Sequence, residues 1–201
     1  GAYSTNIYTD KLIQFIEDDH GDNAPFFLFA AYTSPHWPLQ APLKYIEKYK
    51  GEYDIGYDSL RTLRFQGLKD KNIIADSIEI SDLPFVKGSL YNISEEVLSP
   101  WTSLNNYQRK LEARSMEVYA GMVDNLDYNI GRLLQHLKDI GEYDNTMFVF
   151  FSDNGAAVLE TNFTPEEISK IDDMGSPNSF LAYGPQWAHA SSAGYRCMRD
   201  H

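Results

Sequence analysis

The sequence is poor in cysteine and in basic residues, and each shortage excludes a class of protein. Its 201 residues include one cysteine, Cys197, so neither an internal disulfide nor a cysteine-rich zinc site is possible within the chain. Lysine and arginine number 17 against 29 aspartates and glutamates, which gives a formal net charge of −12. We therefore expect no nucleic-acid partner and no attraction to an anionic membrane surface.

Long hydrophobic runs are missing as well. No stretch approaches the roughly 18 apolar residues that span a bilayer. No basic start followed by an apolar run marks a signal peptide, so the expectation leans towards the cytoplasm. Hydrophobic residues still make up 43% of the chain, which predicts a globular protein: one α/β domain or part of a larger one.

The chain is organised around residues 146–155, which are apolar up to Phe151 and then turn polar. So short a run without alternation predicts a strand buried on both faces, as in a parallel sheet; a buried helix segment is the alternative. Ligands bind beyond the carboxyl ends of such strands, where Asp153 and Asn154 would stand. Their side-chain oxygens suit a hard cation such as Ca²⁺ or Mg²⁺, although Asp-Asn-Gly is also a common turn.

Residues 25–32 form a second continuous apolar run, again predicted to be a buried strand. It ends in the polar and aromatic residues 33–38, which include His36. A long helix is predicted from Asn105, where Asn105 and Gln108 make a capping box, to Gly141. This helix leads directly into the strand at residue 146, as in the crossover connections of a parallel sheet.

The opening of the chain predicts a second amphipathic helix over residues 4–16, capped by Thr5 or Thr9. Its apolar face is expected to carry three residues that recur at helical spacing: Leu12, Phe15 and Ile16. A short helix is predicted over residues 43–50. Residues 51–104 are interrupted by glycines and prolines and predict an irregular insertion, with a short helix near residues 58–68.

Several segments resemble, in their order and spacing, motifs of the arylsulfatases in the formylglycine-dependent sulfatase family. The resemblance covers about residues 1–193. It is densest over residues 26–50 and 114–155, and the motifs, which include Ser-Pro-His-Trp-Pro-Leu-Gln-Ala-Pro and Ser-Asp-Asn-Gly, are specific through their order and spacing together. The matching segments are residues 3–5, 9–10, 34–42, 115–124, 131–132, 141–146, 152–155 and 183–188.

The resemblance implies an incomplete three-layer α/β/α sandwich of the alkaline-phosphatase-like type. It implies a formylglycine nucleophile and a Ca²⁺ ion that is bound in part by Asp153 and Asn154. Asp153 would also help to deprotonate the nucleophile, and His36 would hydrogen-bond the sulfate ester and stabilise its departure. These roles suit the residue types, because a cation neutralises sulfate charge and histidine serves as an acid near neutral pH.

Each of these assignments has a plainer alternative. A histidine between two prolines, as His36 is, is often a packed turn residue. Asp124 and Asp127 lie one helical turn apart and could pair as catalytic carboxylates, but a solvated helix edge is the preferred interpretation.

The sequence also departs from the family pattern. It has no Cys-x-Pro-Ser-Arg motif from which formylglycine could form, and Cys197 stands in a different context. The family pattern leads us to expect a sulfate-binding lysine after Ala193, but no lysine follows Lys170 in the chain. Residues 194–201 match nothing in the family. We therefore interpret residues 1–201 as part of a sulfatase catalytic domain that is inactive by itself.

The predicted function of the full-length protein is that of an arylsulfatase-type hydrolase. It would cleave small-molecule sulfate monoesters to an alcohol or phenol and sulfate. The alternatives are a phosphodiesterase or phosphonate hydrolase of the same superfamily, or a non-catalytic sulfatase remnant. The sequence makes no prediction about the oligomeric state.

Overall fold

The computed structural model describes residues 2–19, 21, 24–80, 100–157 and 171–194. This part of the chain is mainly helical, with an isolated bridge residue at Ala157 and no β-strand. Its α-helices are α1 (Ser4–Asp19), α2 (Leu43–Ile46), α3 (Gly56–Asp70), α4 (Asn106–Asp139) and α5 (Gly184–Ser191). Short 3₁₀ helices cover Glu47–Tyr49, Trp101–Ser103, Tyr143–Asn145 and Ile171–Asp173.

Helix α4 is the longest described element, and both of its ends form as predicted. The Asn105 side chain accepts a hydrogen bond from the backbone of Gln108, and the Gln108 side chain accepts one from Asn105, each at 2.9 Å. At the other end Gly141 has a φ of +80°, and Glu142 N donates to Leu137 O at 2.9 Å. This left-handed glycine closes the helix in a Schellman motif.

Helix α1 forms where it was predicted, but two details of the prediction are wrong. Neither Thr5 nor Thr9 caps it, because both lie inside the helix, where Thr9 Oγ1 donates to Thr5 O at 2.9 Å. Phe15 is 58% exposed, while Leu12 and Ile16 are buried as expected. The buried face continues through Thr5 and Thr9. Thr9 can lie in the helix interface because its hydroxyl bonds back to the preceding turn.

Buried polar side chains join α1 to α4. Asn125 and Asn129 are fully buried, and both donate to Asn6 Oδ1 of α1, at 3.1 and 2.8 Å. Arg132 donates to Asn129 Oδ1 at 2.9 Å and forms an ion pair with Asp10. A buried amide is costly unless it is hydrogen-bonded, so this network admits one register of α1 on α4.

The main core lies against the N-terminal half of α4, where aromatic residues of α3 and α5 meet. The rings of Tyr57, Trp101 and Trp187 contact one another edge to face, with centroids 5.3 to 6.0 Å apart. Helix α3 confirms the helix predicted near residues 58–68. It begins at Gly56, whose φ is +80° and where a Cβ atom would lie 2.4 Å from the Trp101 ring, so glycine is required there.

The two predicted strands are the main departure from expectation. Residues 25–32 and 146–151 carry no regular secondary structure, and both runs are largely exposed; Phe27 is 92% and Met147 89% exposed. A strand needs a neighbouring strand to receive its backbone hydrogen bonds, and the described residues supply none. The parallel sheet, and with it the α/β sandwich, is therefore not confirmed in this part of the chain.

The first of these runs nevertheless keeps a period of two. Phe26, Leu28 and Tyr32 pack against the core between α1 and α4, whereas Phe27 and Phe29 are exposed. The Tyr32 hydroxyl shares a hydrogen bond of 2.8 Å with Thr9 Oγ1, and its burial raises the pKa of Tyr32. One face of this run thus packs against the protein, and the other is exposed to solvent.

The remaining predictions fall partly outside the described residues. The short helix at residues 43–50 is confirmed as α2 with the 3₁₀ turn that follows it. The predicted insertion at residues 51–104 is described only at its two ends, and all but the first residue of the segment 194–201 lies outside the described part.

Loss of the asparagine network should destabilise the protein. We expect Asn129→Ala to lower the free energy of unfolding by about 2–3 kcal/mol, because it leaves Arg132 and Asn6 with fewer partners in a buried interface. Urea unfolding would measure this change. The matched control is Gln135→Ala, which removes an exposed amide on the same helix. Its free energy of unfolding should stay within about 0.5 kcal/mol of that of the unaltered protein. Equal effects of the two substitutions would contradict the role of the network.

Candidate active site

The residues that follow the two apolar runs meet at one cavity. An open cavity of about 1930 Å³ is lined by residues 24–40, by residues 145–157 and by the Leu126–Leu137 side of α4. His36, Asp153 and Asn154 all line it. All three side chains that the sequence predicted to form a site therefore border this cavity.

The loop that carries His36 is held from several sides. Ser34 is buried, and its Oγ donates to the backbone of Met122 on α4 at 3.4 Å. His36 N donates to Thr33 O at 2.8 Å, which closes a turn, and the Ser34–Pro35 and Trp37–Pro38 peptide bonds are cis. These contacts hold the His36 backbone at the cavity wall.

The hydrogen bond of the His36 ring indicates which of its two nitrogens carries the hydrogen in the neutral form. Nδ1 lies 2.7 Å from the carbonyl oxygen of Trp37, and because a carbonyl oxygen only accepts, Nδ1 carries the hydrogen. A neutral ring then offers Nε2 as an acceptor, and a protonated ring donates from Nε2. The His36 side chain is exposed, which disfavours the packed-turn interpretation.

Asp153 and Asn154 stand in a hydrogen-bonded turn that also lines the cavity. Ser152 Oγ donates to Asn154 O at 2.7 Å, and Asn154 Nδ2 donates to Gly155 O at 2.8 Å. That bond engages the amide nitrogen, so Oδ1 is the atom that Asn154 would offer a cation. Asp153 is exposed and offers a carboxylate beside it.

These two residues fit Ca²⁺ in the type of their donors but not in number. Ca²⁺ takes about 6 to 8 oxygen ligands, and Asp153 with Asn154 supplies only part of such a set. Within the described ranges, no group of three or more His, Cys, Asp or Glu side chains is arranged to hold a metal ion. Any complete metal site would need further ligands.

The helical carboxylates Asp124 and Asp127 do not belong to this cavity. Asp124 Oδ2 pairs with Lys48 Nζ at 2.7 Å, and Asp127 is exposed. This agrees with the preferred interpretation of a solvated helix edge.

Two strongly shifted titratable groups also lie away from the cavity, and sequence reasoning missed both. Burial raises the pKa of Glu112 on α4 to about 7. Burial, and then the charge of Arg61, lowers the pKa of His189 on α5 to about 4; its Nε2 is buried without a hydrogen-bond partner. The one sequence signal for Glu112 is a carboxylate between the apolar residues Leu111 and Ala113.

The segment 174–181 borders the His36 loop and was not singled out by sequence either. Gln40 Nε2 donates to Ser179 O at 2.8 Å, and Leu39 N donates to Leu181 O at 2.7 Å. Gly175 has a φ of +86°, and a Cβ atom there would lie 2.8 Å from Val118 of α4. The missing side chain allows this segment to pass close to α4.

Comparison with known proteins assigns the family. The model of the sulfatase family matches residues 1–195, nearly the whole chain, and the chain therefore belongs to the sulfatase family. It is 39% identical to an uncharacterized sulfatase of Schizosaccharomyces pombe, over 98% of this chain and 35% of that protein. It is 35% identical to an arylsulfatase of Klebsiella aerogenes, over 96% of this chain and 40% of that protein.

A more distant relative is a multifunctional alkaline phosphatase superfamily protein of Trinickia caryophylli. It is 25% identical over 75% of this chain and 27% of its own length. The chain thus spans between about a quarter and two fifths of these three relatives. Among the helices described, none has the length and apolar character required to cross a bilayer.

The raised pKa of Glu112 predicts a pH-dependent cost to stability. The folded protein holds this proton up to about pH 7, whereas an unfolded glutamate loses it near its ordinary pKa of 4.5, so stability falls as the pH rises between these values. We expect Glu112→Gln to stabilise the protein at pH 8 by about 1–3 kcal/mol. The gain should shrink towards pH 5.

Urea unfolding at the two pH values would measure this difference. Glu52→Gln, which removes an exposed carboxylate, is the matched control and should show little change at either pH. A gain for Glu112→Gln that is the same at pH 5 and pH 8 would contradict the assignment.

Proposed function

We propose that the full-length protein hydrolyses sulfate monoesters to an alcohol or phenol and sulfate. The observation that carries the proposal is that His36, Asp153 and Asn154 line one cavity in a chain of the sulfatase family. The names of the relatives agree, since those that cover 98% and 96% of this chain are both named as sulfatases. They do not favour the phosphodiesterase or phosphonate hydrolase alternative.

His36 acts on the leaving oxygen. Its Nδ1–H is engaged by the Trp37 carbonyl, so Nε2 is the atom that approaches the ester. As the bond from sulfur to the ester oxygen breaks, negative charge develops on that oxygen. A hydrogen bond or a proton from Nε2 stabilises it, which is general acid catalysis.

Asp153 and Asn154 would hold a Ca²⁺ ion through their side-chain oxygens, with further ligands from elsewhere in the protein. A bound cation neutralises charge on the sulfate oxygens and acidifies the attacking hydroxyl. Asp153 also accepts a proton from the nucleophile, which we propose is a formylglycine outside these 201 residues. Because the chain carries a net charge of −12, it repels an anionic ester unless a cation offsets that charge. We therefore propose that the chain has no activity by itself.

The same proposal accounts for the two exposed apolar runs. We propose that residues 25–32 and 146–151 are strands of the three-layer α/β/α sandwich in the full-length protein. Supporting this, both runs line the same cavity, and one face of the first run already packs against α1 and α4. Contiguous exposed apolar surface of this kind marks a contact with further polypeptide.

Removal of the His36 ring should reduce catalysis far more than stability. In the full-length protein we expect His36→Ala to lower kcat by about 10²–10⁴-fold, the usual cost of losing acid–base assistance. Because the ring is exposed, Tm should change little. Steady-state kinetics with an aryl sulfate would measure kcat, and thermal melting would measure Tm. His36→Asn serves as a second variant that keeps a polar side chain but cannot act as an acid. Retained activity with a steep fall in Tm would instead support a packed turn.

Removal of the Asp153 carboxylate should weaken metal binding. We expect Asp153→Ala to weaken Ca²⁺ binding by the full-length protein about a hundredfold or more, since even the partners of metal ligands are worth about 10–100-fold. Calorimetric titration of the metal-free protein would measure the affinity. Asp144→Ala removes an exposed carboxylate nearby in the chain and should leave the affinity unchanged. An unchanged affinity in Asp153→Ala would refute the assignment of this ligand.

A further inference from the structure

Two aromatic side chains stand exposed beside His36. Trp37 is 38% and Phe180 65% exposed, and their rings meet edge to face with centroids 5.4 Å apart. The Trp37 ring also stacks on the His36 ring at 6.0 Å. By contrast, Trp101 and Trp187 are buried in the main core.

The exposure of this pair is built into the fold. Two hydrogen bonds, one on each side of Phe180, tie its segment to the residues that follow Trp37: Gln40 Nε2 donates to Ser179 O, and Leu39 N donates to Leu181 O. The adjoining Leu181 is buried, so the backbone is anchored where Phe180 projects. The pair is therefore held in place by backbone contacts rather than carried on a free loop.

We infer that Trp37 and Phe180 form an aromatic platform that receives the apolar leaving group of the sulfate ester. This inference rests on the proposed function, in which His36 approaches the leaving oxygen. The group attached to that oxygen must extend away from the sulfate, and the Trp37 ring is stacked directly on the His36 ring. Trp37 lines the same cavity as His36.

The chemistry of the platform favours an aromatic ring over a small aliphatic group. Two rings that meet only edge to face leave part of their apolar surface in water, and a third ring can cover that surface by stacking or by an edge contact. Such a contact is made equally before and during the bond cleavage. It therefore lowers KM without changing kcat.

The platform can be tested with Phe180→Ala in the full-length protein, since Phe180 is exposed and its removal leaves the buried core intact. We expect KM for para-nitrophenyl sulfate to rise about tenfold, as fits the loss of one aromatic contact, with kcat changed less than about twofold. Inorganic sulfate, which has no leaving group, should inhibit with an unchanged Ki. Phe180→Tyr should restore the KM of the unaltered protein.

The matched control is Phe15→Ala, which removes an exposed phenylalanine of α1 and should change neither KM nor Ki. An unchanged KM in Phe180→Ala, or a KM and a sulfate Ki that rise by the same factor, would overturn the platform while the proposed function stands. If the unaltered full-length protein hydrolyses neither para-nitrophenyl sulfate nor an alkyl sulfate, the proposed function fails, and the platform fails with it. Hydrolysis of the alkyl ester alone would overturn the platform while the proposed function stands.

Discussion

The hydrogen bonds between the buried asparagines of α4 and Asn6 of α1 are the constraint on which the arrangement of the site depends. A fully buried amide must keep its partners, so α1 cannot slide or rotate on α4 without losing them. Residues 25–32 pack on the surface that these two helices form together. The loop with His36 follows that run directly, so its position is set by the register of α1 on α4.

The candidate site combines one side of α4 with two segments that line the same cavity, residues 24–40 and residues 145–157. Ser34 is tied to α4, and Gln40 and Leu39 are tied to the segment around Phe180. Asp153 and Asn154, in contrast, are held by hydrogen bonds within their own turn.

Local features were predictable because they depend on neighbours in sequence. The capping box at Asn105 and the glycine that ends α4 involve residues three to five positions apart, and both formed as expected. The exposure of Phe15 was not predictable, because the buried face of α1 is set by its packing against distant residues and runs through Thr5 and Thr9 instead of Phe15. Burial of Glu112 and His189 likewise depends on how α4, α3 and α5 pack.

The sequence by itself determined where α4 begins and ends and, through the resemblance of its motifs, the family; it also predicted which residues form the candidate site. An apolar run indicates that a segment is suited to burial, but the residues that would bury it are distant in sequence. The burial of residues 25–32 and 146–151 therefore could not be predicted from these segments alone. Only the tertiary structure decided that His36, Asp153 and Asn154 share one cavity and that Phe180 lies beside Trp37. The physical reason is that both arrangements relate residues more than a hundred positions apart in the chain, and no periodic pattern encodes them.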